Sequence, residues 1–186
     1  MSAAADSSPS SEATPPAPPR FVRLVEGVGA LALHLWLGGL LVAGAVVAPL
    51  LFRELPRETA APLMTRIFER FHAIGLGLVI VFVLCEVVIW LSARPRGLFG
   101  WLRGAAAAAV LGSALTLALT VTPTIASLHR AGARRGVGAD GARLDQAHRM
   151  AESLAGVGFG GGLAWSALTW RRPRKVRPKR TPNAAA

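Results

Sequence analysis

The sequence has one cysteine, Cys85, no tyrosine and only two lysines among its 21 basic residues. A single thiol excludes an internal disulfide and any cysteine-rich zinc or iron-sulfur centre, so the chain must be held by packing. A disulfide between chains is equally disfavoured, because Cys85 lies inside an apolar run. Charge is scarce as well: charged residues make up 17% of the chain, against about 25% in ordinary soluble domains. Phosphate-binding loops, dinucleotide fingerprints and zinc-protease helices are all missing. No catalytic motif remains, and a non-enzymatic protein is expected.

What is present is apolar and basic at once. Hydrophobic residues reach 52%, mean hydropathy is +0.44 and net charge is +11. A chain of 186 residues can combine these only by keeping its charges away from its apolar stretches. That pattern implies a membrane protein with basic loops and tail. The strong preference for Arg over Lys, with abundant Ala, Gly and Pro, fits a GC-rich bacterial genome.

Residues 1–22, rich in Ser, Ala and Pro, are expected to form a disordered tail. The Ser-, Ala- and Pro-rich stretch 1–19 does not resemble a signal peptide, since Arg20 and Arg23 follow it and the next apolar stretch is too long for an h-region. Four spans follow within residues 23–170, at about 27–52, 73–93, 105–128 and 153–170. Pro49 is the expected break in the first, and Pro123 sits in the last third of the third. Glycines at 156, 158, 160, 161 and 162 suit close helix contact in the fourth. Lipid cannot satisfy unpaired backbone groups, and the runs show no alternation of apolar and polar residues. The expected fold is therefore all-α, a four-helix membrane bundle.

The connectors are amphipathic. Leu63, Ile67, Phe68 and Phe71 form one apolar stripe, and Leu144, Ala147, Ala151 and Leu154 a weaker one. Such helices either lie at the membrane interface or cap the bundle. The chain thus reads as two copies of one hairpin: a span with a late proline, an amphipathic connector, and a second span. Twelve Lys or Arg fall on the face holding both termini and the short turn, and nine on the face of the long connectors. The positive-inside rule then puts both termini in the cytoplasm, across the bacterial inner membrane. The basic tail 171–186 has no interleaved aromatics, which argues for anionic lipid and against nucleic acid. A homo-oligomer or a larger membrane complex is the remaining class of partner. Trp101 and Trp170 stand at span ends and Trp90 near one, whereas Trp36 and Trp165 sit deeper and read as packing residues.

Glu86 is the sharpest signal, a carboxyl group inside a span and so a functional position by default. It and His34 fall in the same half of the membrane, roughly 4.5 Å and 8 Å from the middle of their spans. Ser113 and Ser166 share that half, with Thr116 near the middle. A polar site built from these five would bind or move a small solute; the alternative is a neutral Glu86 that only helps helices associate. His72, His129 and His148 stand at junctions of connector and span on the other face, where they could converge on a metal or a haem.

The stretch HLWLGGLLVAGAVVAPLLFRELPRETA, from His34 to Ala60, resembles the transmembrane protein 205-like family, also described as domain of unknown function 4149. The residues carrying the resemblance are Trp36, Gly38, Gly39, Pro49, Phe52, Leu55, Pro56 and Arg57, followed by Phe68 and Phe71. Later matches are the TPTIASL stretch around Pro123 and His148 before the fourth span. Two departures stand out: Ala151 replaces a Ser, and no Asn follows in span four. The resemblance implies a four-span helical bundle and no particular activity. A looser likeness, through Trp36-Leu37-Gly38-Gly39, is to copper-resistance D-type and protoporphyrinogen-oxidase-type membrane proteins, which implies haem. There Gly29 would occupy the ligand position, with His34 only two residues before the Trp.

Overall fold

The computed structural model describes residues 20–93 and 97–170, and every element among them is helical. The chain runs as α1 (Arg20–Leu41), a π-helical stretch (Val42–Val47), α2 (Ala48–Glu54), α3 (Arg57–Ala93), α4 (Leu98–Thr116), a second π-helical stretch (Leu117–Val121), α5 (Thr122–Arg130) and α6 (Gly138–Trp170). Because α1 and α2 are continuous through the π stretch, and α4 and α5 likewise, the molecule consists of four long rods.

Three rods, Arg20–Glu54, Arg57–Ser92 and Leu98–Arg130, are long and apolar enough to cross a membrane. Their bare outer faces support that reading: Leu24, Leu31, Leu35, Val46, Ile74, Leu84, Leu91 and Leu119 are all exposed. Water would not tolerate so much contiguous apolar surface, and lipid does. The fourth rod, α6, packs along α4, but its glycines and hydroxyls dilute its hydropathy. At 1.5 Å per residue the rods are about 50 Å long, and a bilayer core is ~30 Å thick.

Several expectations are corrected by this geometry. Helix α1 begins at Arg20, inside the stretch expected to be a disordered tail. The amphipathic connectors are not separate elements lying on the membrane or capping the bundle. The first is the opening half of α3, which continues through Pro62 into span two, and the second is the opening half of α6. Apolar character falls along each rod while helical hydrogen bonding continues, so hydropathy marks where lipid contact ends and not where the helix ends. The tails 1–19 and 171–186, and the short turn at Arg94, Pro95 and Arg96, lie outside the described residues.

Pro49 does not break its helix either. A proline removes one N–H and its ring crowds the carbonyl four residues back. Here the turn before it widens to π geometry over Val42–Val47, and α2 then starts with proline in its second position. Leu117–Val121 and Pro123 repeat the arrangement. The most extensive packing is α1 on α3 and α4 on α6, each the two arms of one hairpin. Both halves of the chain therefore follow one plan.

Helix α5 stops in a Schellman motif: Gly132, at φ 79°, donates to the His129 carbonyl, and Ala133 to that of Leu128. Glycine takes that φ without strain. The core is drawn from all four rods: Leu33, Trp36 and Leu37 of α1, Val79 and Phe82 of α3, Val110 of α4 and Trp165 of α6.

Candidate functional site

Two polar regions stand out, one at each end of the bundle. At the end bearing the termini, Glu86 of α3 is buried, but not beside the partners that membrane depth suggested. It is engaged bidentately by Arg103 of α4, whose Nε donates to Oε2 at 2.8 Å and whose Nη2 donates to Oε1. The same guanidinium donates through Nη1 to Glu26 of α1 at 2.9 Å and stacks over the Trp165 ring of α6 at 4.9 Å. One side chain, 3% exposed, thus ties all four rods together. A guanidinium suits this role because its planar fork meets two carboxylates and an aromatic face at once.

Sequence reasoning misses Arg103 because hydropathy starts the third span at Ala105; the helix begins at Leu98, which draws the arginine into the bundle. A signal is nonetheless present. A carboxylate inside a span calls for a cation, and the small residues Gly104 to Ala109 beside Arg103 leave room for its head.

The other expected members of the polar site fall into separate places. His34 is exposed; its Nδ1 donates to the Ala30 carbonyl at 2.7 Å, and its Nε2 lies 3.2 Å from the Ser166 hydroxyl. Ser113 is buried and donates to the Val110 carbonyl of its own helix, and Thr116 donates to that of Gly112. Only His34 and Ser166 of the five are brought together.

At the opposite end, a cavity of about 860 Å³ opens between the two hairpins. Leu40, Phe52, Met64, Phe68, Leu117 and Ile125 supply an apolar wall. His72, His129 and His148 all line it. His72, sandwiched near Phe68 and Phe71, shares a 2.7 Å hydrogen bond with Thr122 of α5. The His129 and His148 rings meet edge to face with centroids 6.1 Å apart. Among the described residues, no group of three or more His, Cys, Asp or Glu is arranged to hold a metal ion. Near the mouth, Arg135 hydrogen-bonds Asp145 and so holds that carboxyl below its ordinary pKa.

The His72–Thr122 bond joins the hairpins at the cavity. Thr122→Val keeps the shape but leaves a buried ring nitrogen without its partner, and is expected to lower stability by about 1–2 kcal/mol. Thermal unfolding of the detergent-solubilised protein would read this directly; an unchanged midpoint would mean that the bond does not form.

The model of the family described as a domain of unknown function, DUF4149, matches residues 31–134, more than half of the chain. The chain belongs to the DUF4149 family. No curated protein and no solved structure matches it. The DUF4149 match contains Glu86, Arg103 and both π stretches, and with them most of the cavity wall. The first-helix ligand position of the looser, haem-binding likeness is held here by Gly29, with no imidazole beside it. A Cβ at Gly29 would sit 2.9 Å from that of Cys85, and His34 is turned outward to Ser166.

Proposed function

We propose that this DUF4149 protein is a non-enzymatic multi-pass membrane protein that binds a small amphipathic molecule in the cavity between its hairpins. The observation that carries the reading is the cavity: about 860 Å³, with an apolar wall and a rim of imidazoles and charged side chains. Ligand sites occupy about 300–1,000 Å³ and combine apolar lining with a few polar groups. Both π stretches border the cavity through Gly44 and Leu117, and π turns recur at functional sites. The solute site expected around Glu86 moves to this end of the bundle, because Glu86 is committed to Arg103.

The finer placement is proposed on sequence grounds. The basic residues favour the inner membrane of a bacterium with both termini cytoplasmic, which would turn the cavity outward. The kinship with transmembrane protein 205-like proteins rests on the residues from Trp36 to Arg57.

Gly44 provides the test. It lines the cavity, and a Cβ added there meets nothing within 4 Å. Gly44→Phe should fill the space without disturbing the fold and reduce binding of an apolar fluorescent probe by roughly tenfold or more, measured by titration in nonionic detergent. Equal binding by both proteins, with unchanged thermal unfolding, would refute the assignment.

A further inference from the structure

The rim of the cavity is balanced in charge. Arg57 and Glu58 reach it from the start of α3, Arg134 from the loop before α6, and Glu152 from α6 itself. All four are exposed, and among the described residues none is paired with another side chain. Two neighbouring arginines are paired already, Arg135 with Asp145 and Arg130 with Glu69. Each hairpin therefore presents one uncommitted guanidinium and one uncommitted carboxylate to the same opening.

A purely anionic ligand would gain the two arginines and be repelled by the two glutamates, and a purely cationic one would face the reverse. A head group carrying both charges satisfies both pairs, and the aromatic ring of Phe52 on the cavity wall suits a substituted ammonium. Resting on the cavity reading above, we infer that the ligand is a zwitterionic amphiphile of single-chain size. Its anionic group is met by Arg57 and Arg134, its cationic group by Glu58 and Glu152, and its chain by Leu40, Met64, Leu117 and their neighbours.

Three probes with the same chain separate the possibilities: dodecylphosphocholine, dodecyl phosphate and dodecyltrimethylammonium. Binding of each to the full chain in nonionic detergent is measured by native mass spectrometry. The zwitterion should bind about three- to tenfold more tightly than either singly charged probe, the scale of two exposed charge pairs. Glu58→Gln combined with Glu152→Gln, both surface changes, should erase its advantage over dodecyl phosphate. Wild-type protein that binds dodecyl phosphate or dodecyltrimethylammonium as tightly as the zwitterion would overturn the head-group inference and leave the cavity reading intact, provided Gly44→Phe still blocks that binding. If none of the three binds above the level of Gly44→Phe, both fail.

Discussion

Arg103→Met should cost about 3–5 kcal/mol, the largest loss expected from any single substitution in this chain. The reason lies in what the change leaves behind. Glu86, 5% exposed, would remain in the bundle without either of the donors it now receives from Arg103, and a buried charge stripped of its partner is penalised on that scale. Glu26 and the face of Trp165 would each lose a contact as well. Arg103→Lys should recover only part of the loss, since a point charge cannot serve two carboxylates and stack on an indole together. The informative comparison is with the double variant Arg103→Met, Glu86→Leu. Replacing both partners by apolar groups removes the desolvation cost with the attraction, so it should stand within roughly 2 kcal/mol of the parent. Denaturant titration in detergent of the parent, the two single variants and the double completes the cycle, and independent, additive effects of the two substitutions would show that the pair is not formed.

The ion-pair end and the cavity end have opposite physical characters. At the first, a single guanidinium fixes four rods, and the Phe82 and Trp165 rings pack edge to face beside it with centroids 5.1 Å apart. At the second, the hairpins separate around the cavity, joined there by the His72–Thr122 bond. Between the two ends lie the π stretches, whose turns are wider than those of an α-helix. A bundle fixed at one end and open at the other can admit a ligand without disturbing its anchor.

Much of this is legible in the sequence, and the exceptions share a cause. The helical class and the positions of the apolar stretches follow from hydropathy, which responds to side chains one at a time. The three histidines fall at one end because each stands where an apolar run stops, and all three line the cavity. Arg103 escapes because hydropathy dates the start of a helix from its first lipid-compatible residue, whereas a buried arginine belongs to the helix through its pairing. The same bias splits α3 at His72 and α6 near Ser153, though neither helix is interrupted. Pro49 reads as a break because proline forbids the regular α turn; no local rule shows that the preceding six residues can widen instead. The cavity depends on how the two hairpins lean together, a property of no single segment.

The glycines of α6 yield the second large effect. Sequence reasoning assigns Gly156, Gly158, Gly160, Gly161 and Gly162 to helix contact, and the structure divides them. At Gly158 a Cβ would collide with the Ser113 hydroxyl and come within 2.8 Å of the Trp36 ring, which is fully buried and has nowhere to move. At Gly161 the obstacle is the Ala106 carbonyl of α4 at 3.1 Å, and at Gly162 the Leu37 side chain at 2.8 Å. These three let α6 approach α4 and α1, whereas Gly156 and Gly160 meet nothing within 4 Å. Gly158→Ala should therefore destabilise by about 1–3 kcal/mol, the usual cost of overpacking, and Gly158→Leu by more. Gly161→Ala should behave similarly, because backbone cannot swing aside as the end of a side chain can. Gly156→Ala and Gly160→Ala should run the other way, from neutral to about 1 kcal/mol stabilising, since alanine gives up less backbone freedom than glycine in a helix. Thermal unfolding of the set in one detergent compares them within a single helix. Equal responses at positions 156 and 158 would mean that α6 does not present this face to Trp36, and the close packing of the fourth rod would have to be abandoned.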